Sequence, residues 1–171
     1  MKRPAMILFS FLMAAAVPGG VGAAIADGAM HAAAAPPLPA FEKLKSLAGE
    51  WKSAEGGVTV SYRVVSGGSA LVEEMSHGSM VTVYHRDGDR LMMTHYCESQ
   101  NQPRMRTDVM KGDPQSVKFS MVDITNLEKP TDGHMSGLTI SFVDKDHFNA
   151  DWNYLEGGKE TPAAFHYTRV K

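Results

Sequence analysis

The stretch from Ser79 to Met105 reads SMVTVYHRDGDRLMMTHYCESQNQPRM, and it predicts a β-hairpin followed by a polar turn. Apolar and polar residues alternate on both sides of Asp87-Gly88, and this period of two around an Asp-Gly pair is typical of two antiparallel strands. The stretch also holds Cys97, the only cysteine, and two of the seven histidines. If the chain has a functional site, we expect it here.

The turn at Asp87-Gly88 leaves two registers open. A two-residue turn pairs Arg86 with Asp89, whereas a three-residue loop pairs His85 with Asp89. A slip of one residue moves every side chain of a strand to the other face of the sheet. We favour the three-residue loop, because it places the valines of the first strand beside the leucine and methionine of the second.

The favoured register turns His95 and Cys97 inward, and the polar turn after them carries Asn101, Gln102 and Arg104. Histidine and cysteine are both found in protein cores, so one interpretation is burial without a function. The other is that they face a ligand cavity with the turn residues at its mouth. Arg104 can then hold a carboxylate or phosphate bidentately, or it is an ordinary solvated charge.

Residues 1–26 have the pattern of a secretory signal peptide. Lys2 and Arg3 precede an uncharged apolar run over 6–17, which is too short to span a bilayer, and Ala24-Ile25-Ala26 is a small-residue cleavage site. We predict cleavage between Ala26 and Asp27, a periplasmic or secreted protein, and no integral membrane segment in the mature chain.

The rest of the chain divides into a leader and a single domain. Residues 27–40 are rich in alanine and proline and predict a disordered leader, and residues 41–171 form the domain. Cleavage leaves 15 basic side chains against 19 acidic ones, a net charge of −4, without a basic patch. Nucleic acids and anionic membrane surfaces are therefore poor partners.

The sequence of the domain predicts an all-β fold. Phe41, Leu44 and Leu47 have helical spacing, and from Glu50 onward about ten short segments alternate with period two and are separated by turn residues. Such a sheet has to bury its apolar face. Closing the sheet into a barrel buries this face and also removes the unpaired edge strands. We predict a single antiparallel up-and-down β-barrel of about ten strands preceded by one short helix, with a two-sheet sandwich as the alternative.

Gly49-Glu50-Trp51 at the first strand and Arg169 at the end of the last resemble the calycin signature of lipocalins and fatty-acid-binding proteins. The resemblance implies that the tryptophan packs under the barrel and that the late arginine stacks on it. The words VYH, DGDRL, THYC and NQPRM within Met80–Met105 are similar to a family of secreted bacterial proteins of unknown function. That resemblance implies a calycin-like barrel and carries no established activity.

Calycin relatives include haem-binding nitrobindin-like barrels, which use a late histidine as the iron ligand. The late histidine here is His166, which lies between Phe165 and Tyr167. Because those two neighbours are predicted to point inward, His166 is predicted to point outward, and this departure argues against haem. His95 is the inward alternative, and we predict no cofactor.

Our main functional hypothesis is a small apolar or amphipathic ligand inside the barrel. Glu73, His95 and the polar residues after it would supply polar contacts. An enzyme using Glu73, His95 or Cys97 is one alternative, although no nucleophile, zinc or metalloprotease motif supports it. A structural or partner-binding barrel without a ligand is the other. The apolar wall is predicted from Leu91, Met93, Phe119, Phe142, Trp152 and Tyr154.

Overall fold

A computed structural model of the chain describes residues 36–171, and the predicted signal peptide and most of the predicted leader lie outside these residues. The helix starts at Pro39, with Leu38 and Ala40 buried, so the packed domain begins a few residues before 41. The elements are α1 (Pro39–Lys45), β1 (Gly49–Ser53), β2 (Thr59–Val65), β3 (Ala70–Met75), β4 (Met80–Asp87), β5 (Arg90–Tyr96), β6 (Gln102–Arg106), β7 (Ser116–Thr125), β8 (His134–Phe142), β9 (His147–Glu156) and β10 (Lys159–Arg169).

The ten strands form one closed antiparallel barrel in which each strand pairs with its neighbours in sequence and β1 pairs with β10. This confirms the predicted up-and-down barrel and excludes the two-sheet sandwich. The architecture is consistent with a calycin-like fold. No helix within residues 36–171 is long and apolar enough to cross a lipid bilayer.

The predicted register of the β4–β5 hairpin is wrong. Asp87 pairs with Arg90 around a two-residue turn, so neither of the two expected pairings occurs. Thr82 and Tyr84 are the buried residues of β4, and the neighbouring valines are only partly buried. The physical reason is that both hydroxyls have partners inside the barrel, which offsets the cost of burying them.

The helix closes one end of the barrel, where the contact implied by the calycin resemblance is present. The guanidinium carbon of Arg169 lies 4.0 Å from the centre of the Trp51 ring. Arg169 also donates hydrogen bonds to the carbonyl oxygens of Ser46 and Ala48, at 3.0 and 2.9 Å. Gly49 allows this approach, because a Cβ there would lie 2.8 Å from Arg169 Nη1.

The middle of the barrel is filled by side chains. Leu91, Met93 and Phe119 have no exposed surface, so they contact neighbouring atoms on all sides. Three of the six residues predicted to line an internal cavity therefore adjoin no water-sized space. Any open cavity lies nearer an end of the barrel.

Candidate functional site

The end of the barrel opposite the helix is the place where the structure assembles a site. In an up-and-down barrel alternate connections meet at one end, so the turns after β1, β3, β5, β7 and β9 meet here. We call this end the mouth. It contains a cavity of about 410 Å³, lined by Ser99, Gln100, Asn101, Asn126, Leu127, Glu128, Asp132, Gly133, Tyr154 and Glu156.

Asn101 is the central polar residue of this mouth cavity. Its side-chain Nδ2 donates a hydrogen bond of 2.9 Å to the carbonyl oxygen of Gly133. A carbonyl oxygen only accepts, so this bond fixes which side of the carboxamide is the NH₂ group. Asn101 is only 2% exposed, and its Oδ1 has no hydrogen-bond partner within the described residues. A buried acceptor without a donor is energetically costly, so this oxygen is an unsatisfied group in the wall of the cavity.

Tyr154 also lines the mouth cavity and lies directly against Gly133. A Cβ built at Gly133 would overlap the tyrosine hydroxyl and would lie 3.3 Å from Glu156 Oε1. A side chain at this position would therefore displace the Tyr154 hydroxyl, whereas glycine leaves room for it beside the start of β8. Asn101 and Tyr154, both predicted as ligand-binding residues, are brought together through this glycine.

Hydrogen bonds between turns hold the mouth in shape. The side chain of Asn126, at the end of β7, donates to the carbonyl oxygen of Gln100 in the turn after β5. The amide of Gly157, in the turn after β9, donates to Thr131 O at 2.9 Å. Because these bonds link three separate turns, the cavity is preorganised.

Beneath the cavity, Trp152 and His95 meet across the lumen. Trp152 lies two residues before Tyr154 on the inward face of β9, and its ring centre is 4.8 Å from that of His95. His95 Nδ1 is 2.9 Å from Thr82 Oγ1, whereas Nε2 has no partner within the described residues. Burial lowers the pKa of His95 to about 4, so the ring is neutral at pH 7.

Glu73 lies at the same level of the barrel interior as His95, because Thr82 is the cross-strand partner of both residues. It is 4% exposed, and Tyr84 donates a hydrogen bond to its Oε2. Burial raises the pKa of Glu73 to about 7, against the lowering effect of hydrogen bonds from Tyr84 and Tyr62. No hydrogen bond within the described residues joins Glu73 to either His95 or Cys97. Glu73 and His95 are therefore neighbours in the interior without a direct hydrogen bond between them.

The remaining predicted residues lie around the mouth but outside its cavity. Arg104 is on the outer face of β6 and forms a two-pronged ion pair with Asp123, with Nε 2.5 Å from Oδ1. Gln102 donates to Gln100 O and accepts from the Thr125 hydroxyl. Cys97 follows the end of β5 and is partly exposed, although its predicted inward orientation favoured burial.

The histidines do not fit a haem site. His166 is exposed and points outward as predicted, and its Nδ1 lies 2.5 Å from Glu55 Oε1. His95 is inward, but the space beside its ring is taken by Trp152. Within residues 36–171 no three His, Cys, Asp or Glu side chains are grouped to hold a metal ion.

A larger cavity of about 730 Å³ lies at the other end, between the helix and the barrel. Its charged side chains form ion pairs with one another or with residues beside the cavity. Lys43 pairs with Asp113 at 3.4 Å, and Asp144 pairs with His147 at 2.9 Å. Arg169 is held by the carbonyl groups described above. This cavity is a seam that joins the helix to the barrel.

Several residues of the mouth cavity were not predicted as site residues. They lie in the turn after β5, in the polar loop between β7 and β8 and at the end of β9. The alternation of strand residues gives no signal for loop contacts. The unpredicted polar or charged lining residues are Ser99, Gln100, Asn126, Glu128, Asp132 and Glu156.

Comparison with models of known protein families and with curated proteins found no match for this chain. The geometry of the mouth is therefore the basis for a functional interpretation.

Proposed function

We propose that this is an exported barrel that binds a small amphipathic molecule in its mouth cavity. Export is supported by the signal-peptide pattern of residues 1–26. The ligand would be held at the entrance, because the lumen beneath is filled by His95 and Trp152.

The observation that carries the proposal is the carboxamide of Asn101. It is buried in the wall of a cavity of about 410 Å³, it is fixed by Gly133 O, and its Oδ1 lacks a donor. A ligand N–H or O–H group that displaces the lining beside Oδ1 would supply that donor. The ring of Tyr154 and the side chain of Leu127 offer apolar contact beside it.

Native mass spectrometry of the protein purified gently from its own host tests this proposal. We expect a co-purifying mass of a few hundred daltons that is lost on denaturation. The variant Asn101→Leu, which removes the unpartnered oxygen at similar volume, should lose most of this mass. The matched control is Gln102→Leu, because Gln102 is the next residue and lies outside the cavity.

Two results would count against ligand binding at the mouth. One is a wild-type protein that carries no additional mass. The other is an additional mass that Asn101→Leu and Gln102→Leu retain equally, since the ligand would then lie elsewhere.

A further inference from the structure

We propose that Glu73 is a proton-operated switch in the barrel interior, and that its carboxylate form recruits the Tyr167 hydroxyl as an additional hydrogen-bond donor. While Glu73 holds its proton, Tyr167 stays without a hydrogen-bond partner. This inference concerns the interior of the barrel and does not rest on the proposed function of the mouth.

Four buried side chains from four strands form one polar cluster in the interior. Tyr62 on β2 is the cross-strand partner of Glu73 on β3, and Tyr84 on β4 donates a hydrogen bond to Glu73 Oε2. Tyr167 on β10 joins the cluster through Phe148, whose ring centre lies 4.8 Å from that of Tyr167 and 5.9 Å from that of Tyr62. None of the four polar residues is more than 4% exposed, so the cluster is almost completely removed from solvent.

The Tyr167 hydroxyl is the unused donor of this cluster. It is buried and has no hydrogen-bond partner within the described residues. Burial raises the pKa of Tyr167, and the charge of Glu73 raises it further, so the two groups lie within electrostatic reach of each other. A tyrosine hydroxyl can donate as well as accept, and a carboxylate only accepts. The hydroxyl therefore has a possible partner in the ionised form of Glu73.

The charge of Glu73 decides whether a further donor is needed. Among residues 36–171, no basic side chain forms an ion pair with Glu73. A carboxylate has about four acceptor positions, and a buried carboxylate has lost the water that would otherwise fill them. Hydrogen bonds to an ionised acceptor are roughly twice as strong as those between neutral groups. Loss of the proton therefore favours movement of the Tyr167 hydroxyl onto Glu73.

The other titratable groups that face the cluster keep their charge near neutral pH. His95, on β5, has its pKa lowered to about 4 by burial and is neutral there. Glu55, whose charge also acts on Tyr167, has its pKa lowered to about 2 by hydrogen bonds from His166 and is ionised there. Burial raises the pKa values of all three tyrosines above their usual range. Glu73, whose pKa burial raises to about 7, is the group of the cluster that changes charge.

NMR of protein labelled with ¹³C at the tyrosine Cζ tests this inference, because the shift of that carbon depends on hydrogen bonding and charge at the hydroxyl. The chain has five tyrosines, and each signal is assigned by a tyrosine-to-phenylalanine variant. We expect the signals of Tyr84 and Tyr167 to titrate together, with one midpoint near pH 7. Neither signal should titrate near neutral pH in Glu73→Gln, which keeps the size of the side chain and cannot ionise.

Tyr167→Phe measures the contribution of the hydroxyl and keeps the ring that stacks on Phe148. Because the removed donor binds only the carboxylate, the ionised form of Glu73 loses stability and its pKa rises. The midpoint of the Tyr84 signal should therefore move up by about one pH unit. Tyr154→Phe is the matched control, since it removes a tyrosine hydroxyl at the mouth, and it should leave the midpoint unchanged.

Three kinds of result would overturn the inference. If the Tyr84 signal titrates and the Tyr167 signal does not, Glu73 releases its proton without recruiting the hydroxyl. If neither signal titrates near neutral pH, or if both still titrate in Glu73→Gln, Glu73 is not the switch. If Tyr167→Phe leaves the midpoint unchanged or lowers it, the hydroxyl does not stabilise the carboxylate.

Discussion

At the scale of single residues, Glu73 and His95 are the acidic and the basic group of the barrel interior whose pKa values are shifted by burial. The pKa of Glu73 is raised to about 7 from an ordinary 4.5, and that of His95 is lowered to about 4 from 6.5. Both shifts favour the neutral form in the folded protein. Their effects on stability have opposite dependence on pH.

Glu73 makes the protein less stable as the pH rises. Between pH 4.5 and 7 the folded state keeps a proton that the unfolded state has lost, so the free energy of unfolding falls across this range. A shift of this size corresponds to roughly 3 kcal/mol. Glu73→Gln should therefore gain about that much stability relative to wild type between pH 4.5 and pH 8, measured by urea denaturation. A stability difference that does not change with pH would show that Glu73 does not titrate near neutrality.

His95 has the reverse effect, because here the unfolded state binds the proton first. Wild-type stability falls as the pH falls from 6.5 to 4 on account of this residue. His95→Gln should remove that dependence, so its stability relative to wild type rises by roughly 3 kcal/mol as the pH falls over this range. From pH 4.5 to 6.5 the contributions of Glu73 and His95 oppose each other, and the wild-type curve should be nearly flat there. If His95→Gln follows the wild-type curve at every pH, His95 is not held neutral by the fold.

At the scale of elements, the mouth depends on the close contact between the loop after β7 and the end of β9. Gly133→Ala places a methyl group where the Tyr154 hydroxyl lies. The tyrosine then has to move, and we expect a loss of about 1–3 kcal/mol in thermal or urea unfolding, as is usual for overpacking. Ligand binding at the mouth should weaken in the same variant.

Gly137→Ala is the matched control, because its Cβ meets nothing closer than 3.6 Å and neither glycine has a positive φ. The control should be neutral or gain about 0.5 kcal/mol. Equal losses in the two variants would mean that any side chain in this part of β8 is harmful and that Tyr154 has no special role.

The strand elements could be predicted from the sequence better than their pairing. Alternation identified β5 and the inward position of His95, because a half-buried strand repeats every two residues. The β4–β5 register was missed because Thr82 and Tyr84 read as outward polar residues, and the sequence does not show their interior partners. The pattern of apolar residues alone predicts the wrong inward face of a strand when hydroxyl groups have hydrogen-bond partners inside the barrel.

The candidate site was predicted only in part, because contacts between loops, like the interior partners of Thr82 and Tyr84, are not visible in the sequence. Asn101 and Tyr154 stood out because they lie beside recognisable strands. Glu128, Asp132 and Gly133 lie in a loop whose position depends on contacts with distant turns, such as that between Gly157 and Thr131. Loop contacts between distant positions leave no periodic signal in the sequence.

At the scale of the whole molecule, closure of the barrel depends on the pairing of its first and last strands. Trp51 and Arg169 are direct partners in β1 and β10, and Arg169 also binds the helix–strand connection through Ser46 O and Ala48 O. A single side chain thus joins the first and last strands to the helix–strand connection at the helix end of the barrel. The mouth, at the other end, is free to serve binding.

Arg169→Lys should therefore destabilise the whole barrel. Lysine cannot make the two carbonyl contacts together with stacking on Trp51, and we expect a loss of roughly 2–3 kcal/mol in urea unfolding. Arg104→Lys serves as the control, since the Arg104–Asp123 pair is on the surface and its loss should cost much less. Similar losses of stability in the two variants would show that Arg169, where β1 pairs with β10, has no special part in closing the barrel.

The most direct test of ligand binding at the mouth is a high-resolution crystal structure of the protein purified gently from its own host. We predict density for a small molecule in the cavity between Asn101 and Tyr154, with a donor atom within hydrogen-bond distance of Asn101 Oδ1. A protein that carries a ligand at the helix end, or a mouth that contains ordered water alone, would contradict the account.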